Sequence, residues 1–190
     1  PIAWGAPANK MPPFVFDVAT TQVAANKLAL TRRIGSKIEP GWIANLDGSP
    51  IMEAVDVPEF GQFKMLPFGG IRENGGHKGY GFAAIADIMS GILSGNGPGF
   101  IADRSYSFFV MAFNVDAFLD VDDFKDDMDK LLHKLANTKP APGHERVFYA
   151  GLPEHEETEI RQKNGIPYHR EVVDWFNSIN SELNLGISMP

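Results

Sequence analysis

Apolar residues fall into two patterns along the chain: short unbroken runs bounded by glycine and proline, and stripes at helical spacing. Ile2 to Ala8 reads as the end of a strand or a buried loop. Phe14-Val15-Phe16 predicts a buried strand that ends at Asp17. Val23, Ala24, Leu28 and Leu30 predict a helix from about Thr21 to Ile34, stopped by Gly35. Residues 36–70 carry Pro40-Gly41, Asp47-Gly48, Pro50, Pro58, Gly61, Pro67 and Gly69-Gly70, the composition of a long connection. From about Tyr80 to Ser94 apolar side chains occur on every face, which predicts a helix buried nearly all round. Ser107 to Phe113 has the uninterrupted character of a central strand covered on both sides. A helix follows, with Asp122 and Asp123 in its first turn and the stripe Phe124, Met128, Leu131, Leu132 and Leu135. Arg146 to Tyr149 predicts a short strand, and two helices close the chain, at about Pro153–Asn164 and His169–Leu183. Buried strands alternating with helices predict an α/β layer protein. The spacing is too irregular for a TIM barrel, and the GxGxxG fingerprint of a Rossmann unit does not occur.

Composition narrows the class. The 190 residues suffice for one good core, or one domain with appendages, and 44% hydrophobic with 22% charged residues is ordinary for a folded protein. A formal charge of −7 argues against nucleic acid as a partner. With no cysteine, disulfides and thiolate-ligated metals are excluded. No apolar run is long enough for a membrane helix, and the start of the chain lacks a signal-like pattern. A cytoplasmic enzyme or binding domain is the expectation. Pro1 opens the chain without methionine inside a strand-like segment, which predicts the C-terminal part of something larger, or a processed chain.

Most of the candidate chemistry gathers in two places. Gly75-Gly76-His77-Lys78-Gly79-Tyr80-Gly81 sets a lysine among four glycines where a helix begins, either an anion site or a plain glycine-rich turn. It is not a P-loop, because Gly79 follows Lys78 where Ser or Thr is required. Asp17-Val18-Ala19-Thr20-Thr21 stands where a strand hands over to a helix, the usual place for a ligand in an α/β sheet. Asp17 can accept from a ribose hydroxyl; Thr20 or Thr21 acting only as a helix cap is the alternative. The five histidines have no partner at metal-ligand spacing. The run from Asp120 to Asp129 fails the EF-hand template, with Phe124 at its fifth position and Lys125 where glycine belongs. Asp87, alone in the most apolar helix, requires a donor. G-x-S-x-G is absent, and no histidine stands out as a general base.

Taken in order, several segments resemble the malate/L-lactate dehydrogenase type 2 family of NAD(P)-dependent oxidoreductases. They are Pro1-Ile2-Ala3-Trp4-Gly5-Ala6-Pro7, Phe16 to Thr21, Pro40-Gly41-Trp42, Leu66-Pro67-Phe68-Gly69-Gly70, Gly76 to Gly81, Pro140-Ala141-Pro142-Gly143 and Gly165-Ile166-Pro167. The loop after Trp42 departs from the family's G-x-P-T-x-D-P, reading Gly48-Ser49-Pro50 and then Ile51-Met52-Glu53-Ala54, and Glu39-Pro40-Gly41 replaces Pro-Glu-Gly.

The resemblance implies a three-layer α/β/α fold with a mixed sheet that holds a dinucleotide without a Rossmann unit. It implies cofactor contacts at Asp17, Val18, Ala19 and Lys78, with His77 beside them, and less directly at Gly151 and Glu154 in the loop from Ala150. It implies NAD or NADP as cofactor, a small 2-hydroxy or 2-keto acid as substrate, and a homodimer. A cyclic imine reductase on the same scaffold and a non-catalytic cofactor-binding fragment are the alternatives. The family's catalytic histidine lies in an N-terminal part that residues 1–190 do not contain, so no catalytic residue is expected here and the chain alone is expected to be inactive. Residues 1–145 are expected to form the cofactor domain. Residues 146–190 are expected to pack back on the substrate domain.

Overall fold

A computed structural model describes residues 1–101 and 106–187. Strands β1 (Ile2–Ala6) and β2 (Phe14–Val18) pair antiparallel, Trp4 opposite Phe16. Helix α1 (Ala25–Arg33) follows; then β3 (Ile43–Ala44) and β4 (Lys64–Met65) form a second antiparallel pair. Helix α2 (Gly76–Asp87) runs on into a turn of π-helix over Ile88–Ile92. The remaining helices are α3 (Val121–Ala136), α4 (Leu152–Asn164) and α5 (Arg170–Glu182). The helices match the expected positions within a few residues. No helix among the described residues is long and apolar enough to cross a membrane.

Two cores hold these elements. In the first, Val23, Leu28, Ile38, Ile43, Val57 and Phe63 pack together, so the long connection of residues 36–70 folds over α1 instead of lying loose. In the second, Leu132 of α3 meets Tyr149 and Leu152, with Met11, Phe14 and Met128 at the margin. Long-range polar contacts reinforce it. The Asp129 carboxylate accepts backbone N–H groups from Asn9, Lys10 and Met11 at 2.8–3.0 Å, which lowers its pKa, the Met11 bond contributing most. Asp120 caps α3 by accepting from the amides of Asp122 and Asp123, so the acidic run serves the helix start, as read from the sequence. No cluster of metal-ligating side chains forms among the described residues.

Four expectations are corrected. Phe14-Val15-Phe16 does form a strand, β2, but not a buried one, since Val15 and Phe16 are exposed. Among the described residues Ser107 to Phe113 pairs with no strand; its Phe108 and Val110 side chains are almost fully exposed, and the Phe113 ring lies 5.9 Å from that of Trp4 in β1. A central strand needs a backbone neighbour and cover on its faces, and this segment has neither among the described residues. Arg146 to Tyr149 is likewise not a strand: Tyr149 closes the second core, and the chain turns straight into α4. Helix α2 and the π-turn that follows are not buried all round, since Tyr80, Phe82, Ile85 and Ile88 are each at least half exposed. In α2, Asp87 does find a donor, the backbone N–H of Gly99 at 2.9 Å.

Candidate functional site

Strand β2 delivers Asp17 to the rim of an open cavity of about 780 Å³. The opposite wall is the start of α4, where Gly151, Glu154, His155 and Thr158 recur at helical spacing and so share one face. Local chemistry fixes the junction. The N–H of Val15 donates to the carbonyl of Ala150 at 3.0 Å, and the Tyr149 hydroxyl donates to the carbonyl of Pro12 at 3.0 Å. Burial raises the Tyr149 pKa, keeping that hydroxyl protonated as a donor. Gly151 has φ 95°, and a Cβ there would sit 2.9 Å from the backbone nitrogen of Val15. Only glycine allows both the turn and the approach. Behind the wall, Arg146 grips Glu156 with both terminal nitrogens (2.8 and 2.5 Å) and lies over the Phe148 ring, 4.3 Å from its centroid. That pairing lowers the carboxyl pKa of Glu156 and raises that of Arg146.

The structure thus brings Asp17, Gly151 and Glu154 to one cavity although more than 130 residues separate them in sequence. Neither carboxylate has a hydrogen-bond or ion-pair partner among the described residues. Val18 and Ala19 continue from Asp17, half buried, into the segment that carries Thr20 and Thr21.

Lys78 and His77 are not on the cavity wall. They connect to it through residues 66–70: the N–H of Phe68 donates to the carbonyl of Thr20, that of Gln22 to Leu66, and that of Gly69 to the Gln22 side chain, all at 2.8–2.9 Å. Helix α2 rests on this bridge. A Cβ on Gly79 would overlap the carbonyl oxygen of Phe68, and one on Gly76 that of Gly70. Two of the four glycines are therefore explained by close packing, and Gly75, with φ 93°, by the turn into the helix. Lys78 folds back over Gly75, and its ammonium has no carboxylate partner among the described residues. His77 is exposed in the same first turn. The threonines do not cap α1; Thr21 instead donates its hydroxyl to the carbonyl of Val23 at 2.8 Å.

Sequence reasoning missed Val15, Phe148, His155 and Thr158 as parts of the wall. Once Glu154 is a candidate on a helix, the i, i+3, i+4, i+7 pattern from Gly151 points to His155 and Thr158. Nothing in the sequence points to Phe148.

The cavity lies between a strand, β2, and the start of a helix, α4, within a chain of mixed α and β elements. The profile of the malate/L-lactate dehydrogenase family matches residues 1–177, and the chain belongs to that family. It is 36% identical over 186 residues to a malate dehydrogenase from Pyrococcus abyssi, covering 94% of this chain and 51% of that protein. A delta(1)-pyrroline-2-carboxylate reductase from Ancylobacter novellus is 36% identical over 96 residues, covering 50% of this chain and 26% of that protein. The crystal structure of malate dehydrogenase from Entamoeba histolytica superimposes with a TM-score of 0.80 at 26% identity, covering 99% of this chain and 55% of that one. The chain spans about half the length of the curated malate dehydrogenase that it matches.

Proposed function

We propose that this chain is the dinucleotide-holding part of an oxidoreductase that moves hydride between a nicotinamide cofactor and carbon 2 of a small 2-hydroxy or 2-keto acid. The observation that carries the reading is the convergence of Asp17, Gly151 and Glu154 on one cavity within a chain of this family. The residues fit the cofactor chemically. The volume lies in the range of small-molecule sites, Val15, Phe148 and Pro153 offer apolar surface for a planar ring, and two unpaired carboxylates can accept ribose hydroxyls. The free ammonium of Lys78 at the start of α2 supplies positive charge for a diphosphate, with His77 beside it and the Val18-Ala19 backbone as the seat between.

When bound, the nicotinamide supplies the hydride chemistry; the chain's own residues bind and orient it. No residue here is assigned the proton transfer to the substrate oxygen, which the family resemblance gives to a histidine N-terminal to this segment. In the same proposal, further chain completes the mixed sheet of a three-layer α/β/α fold, residues 146–190 pack back on the substrate side, and the enzyme is a cytoplasmic homodimer.

Titrating the full-length protein with NADH and NADPH, following cofactor fluorescence, tests the reading. Lys78→Ala is expected to weaken binding about tenfold or more, the loss of one charge-assisted contact; unchanged affinity would refute the diphosphate assignment. A turnover assay with oxaloacetate, pyruvate and Δ1-pyrroline-2-carboxylate separates a hydroxy-acid enzyme from an imine reductase. Matching the malate dehydrogenase over nearly the whole chain, against half for the reductase, favours the acid.

A further inference from the structure

Resting on that reading, we propose that the cavity between β2 and α4 selects the unphosphorylated dinucleotide, NAD(H), over NADP(H). Its wall presents two unpaired carboxylates, Asp17 and Glu154, and no lysine or arginine. A carboxylate only accepts hydrogen bonds. The adenosine ribose of NAD(H) offers two hydroxyl donors, whereas a 2′-phosphate replaces one of them with acceptor oxygens and between one and two negative charges. In Rossmann sites an acid marks the free ribose and a nearby arginine the phosphorylated one; the same donor and acceptor chemistry applies to a carboxylate in any fold.

Four arginines that flank β2 or α4 in sequence are already paired elsewhere. Arg32 and Arg33 are the first arginines after β2. The Arg32 guanidinium donates to the carbonyl of Pro58, lies 3.3 Å from Glu59 Oε2 and stacks over Phe60, and Arg33 pairs with Glu171. Arg146 is held by Glu156, and Arg161 by Glu157 at 2.7 Å. His155 is the only wall residue able to become cationic, and its Nε2 lies 3.7 Å from Glu159 Oε1 on the same helix.

The test is equilibrium binding of NADH and NADPH to the full-length protein and to Glu154→Gln and Asp17→Asn variants, at low and high salt. Among the described residues the Glu154 side chain makes no bond; its backbone carbonyl accepts from Thr158 Oγ1 at 2.6 Å, so the glutamine variant keeps the fold. The expected result is NADH tighter than NADPH by about tenfold or more. Each neutral variant should narrow that ratio, mainly by improving NADPH, and added salt should narrow it in the parent protein as it screens the repulsion. Equal or tighter NADPH binding overturns the selectivity and leaves the dinucleotide reading intact, as does a ratio that neither variant moves. Failure of both dinucleotides to bind overturns both proposals.

Discussion

The most loop-like stretch of the sequence and its most apolar helix exchange the roles that composition gives them. Residues 36–70, dense in proline and glycine, contribute Ile38 and Ile43, both fully buried, and close the first core over Leu28. Helix α2, apolar on every face, leaves Ile85 and Tyr80 55% and 71% exposed. Burial is thus a property of what lies opposite. The connection supplies its own cover, because the short pair β3–β4 folds it back on α1. Helix α2 meets the chain along the glycine edge of Gly76 and Gly79 and through the Asp87–Gly99 bond, while Tyr80, Phe82 and Ile85 stay at least half exposed.

That contrast can be broken by substitution. Ile43→Ala should destabilise the chain by about 2–5 kcal/mol, the range for emptying a packed core position, and Ile85→Ala by well under about 1 kcal/mol at its exposed position. Urea denaturation of both variants measures the difference, and equal losses would mean that α2 is as well covered as the first core. Gly79→Ala comes next. A methyl group there must push α2 off Phe68, with an expected cost of about 1–3 kcal/mol typical of overpacking. Gly81→Ala, which meets open space, should be neutral or slightly stabilising through helix propensity.

The smallest effect distinguishes the second core from both. Glu156 and Asp129 have carboxyl pKa values below the ordinary one, Glu156 through Arg146 and Asp129 through backbone amides. Their contribution is complete above the unfolded-state value, near pH 4, and is lost as pH falls through the lower folded-state values. Melting temperature should therefore decline on acidification below about pH 4, and Asp129→Asn should lower it at neutral pH while flattening that decline. Ile43→Ala should leave the acid profile parallel to that of the parent.

Legibility in the sequence follows the range of the forces involved. Helices α3, α4 and α5 were readable because caps and stripes are local: Asp120 caps α3, and Leu132 sits in its stripe. The strand assignment at Ser107–Phe113 failed because strand formation depends on a distant neighbour that an apolar run cannot reveal. The glycines of 75–81 were visible, but whether each served a ligand or packing was not, since Phe68 and Gly70 are the groups that decide it. Asp17 and Glu154 could be named separately as candidates. The long-range contacts of Val15 with Ala150 and Gly151 and of Tyr149 with Pro12 bring them to one cavity.

The fastenings between the first residues and the segment from Asp126 onward also govern when the cavity can exist. Asn9 reaches Asp129 across 120 positions, and Pro12 reaches Tyr149 across 137. Closures of that length come late, after local helices have formed, and they slow folding. During synthesis, strand β2 must wait, its rim exposed, until the ribosome has released α4. The pocket therefore needs both ends of a 137-residue span in place before its two walls can face each other.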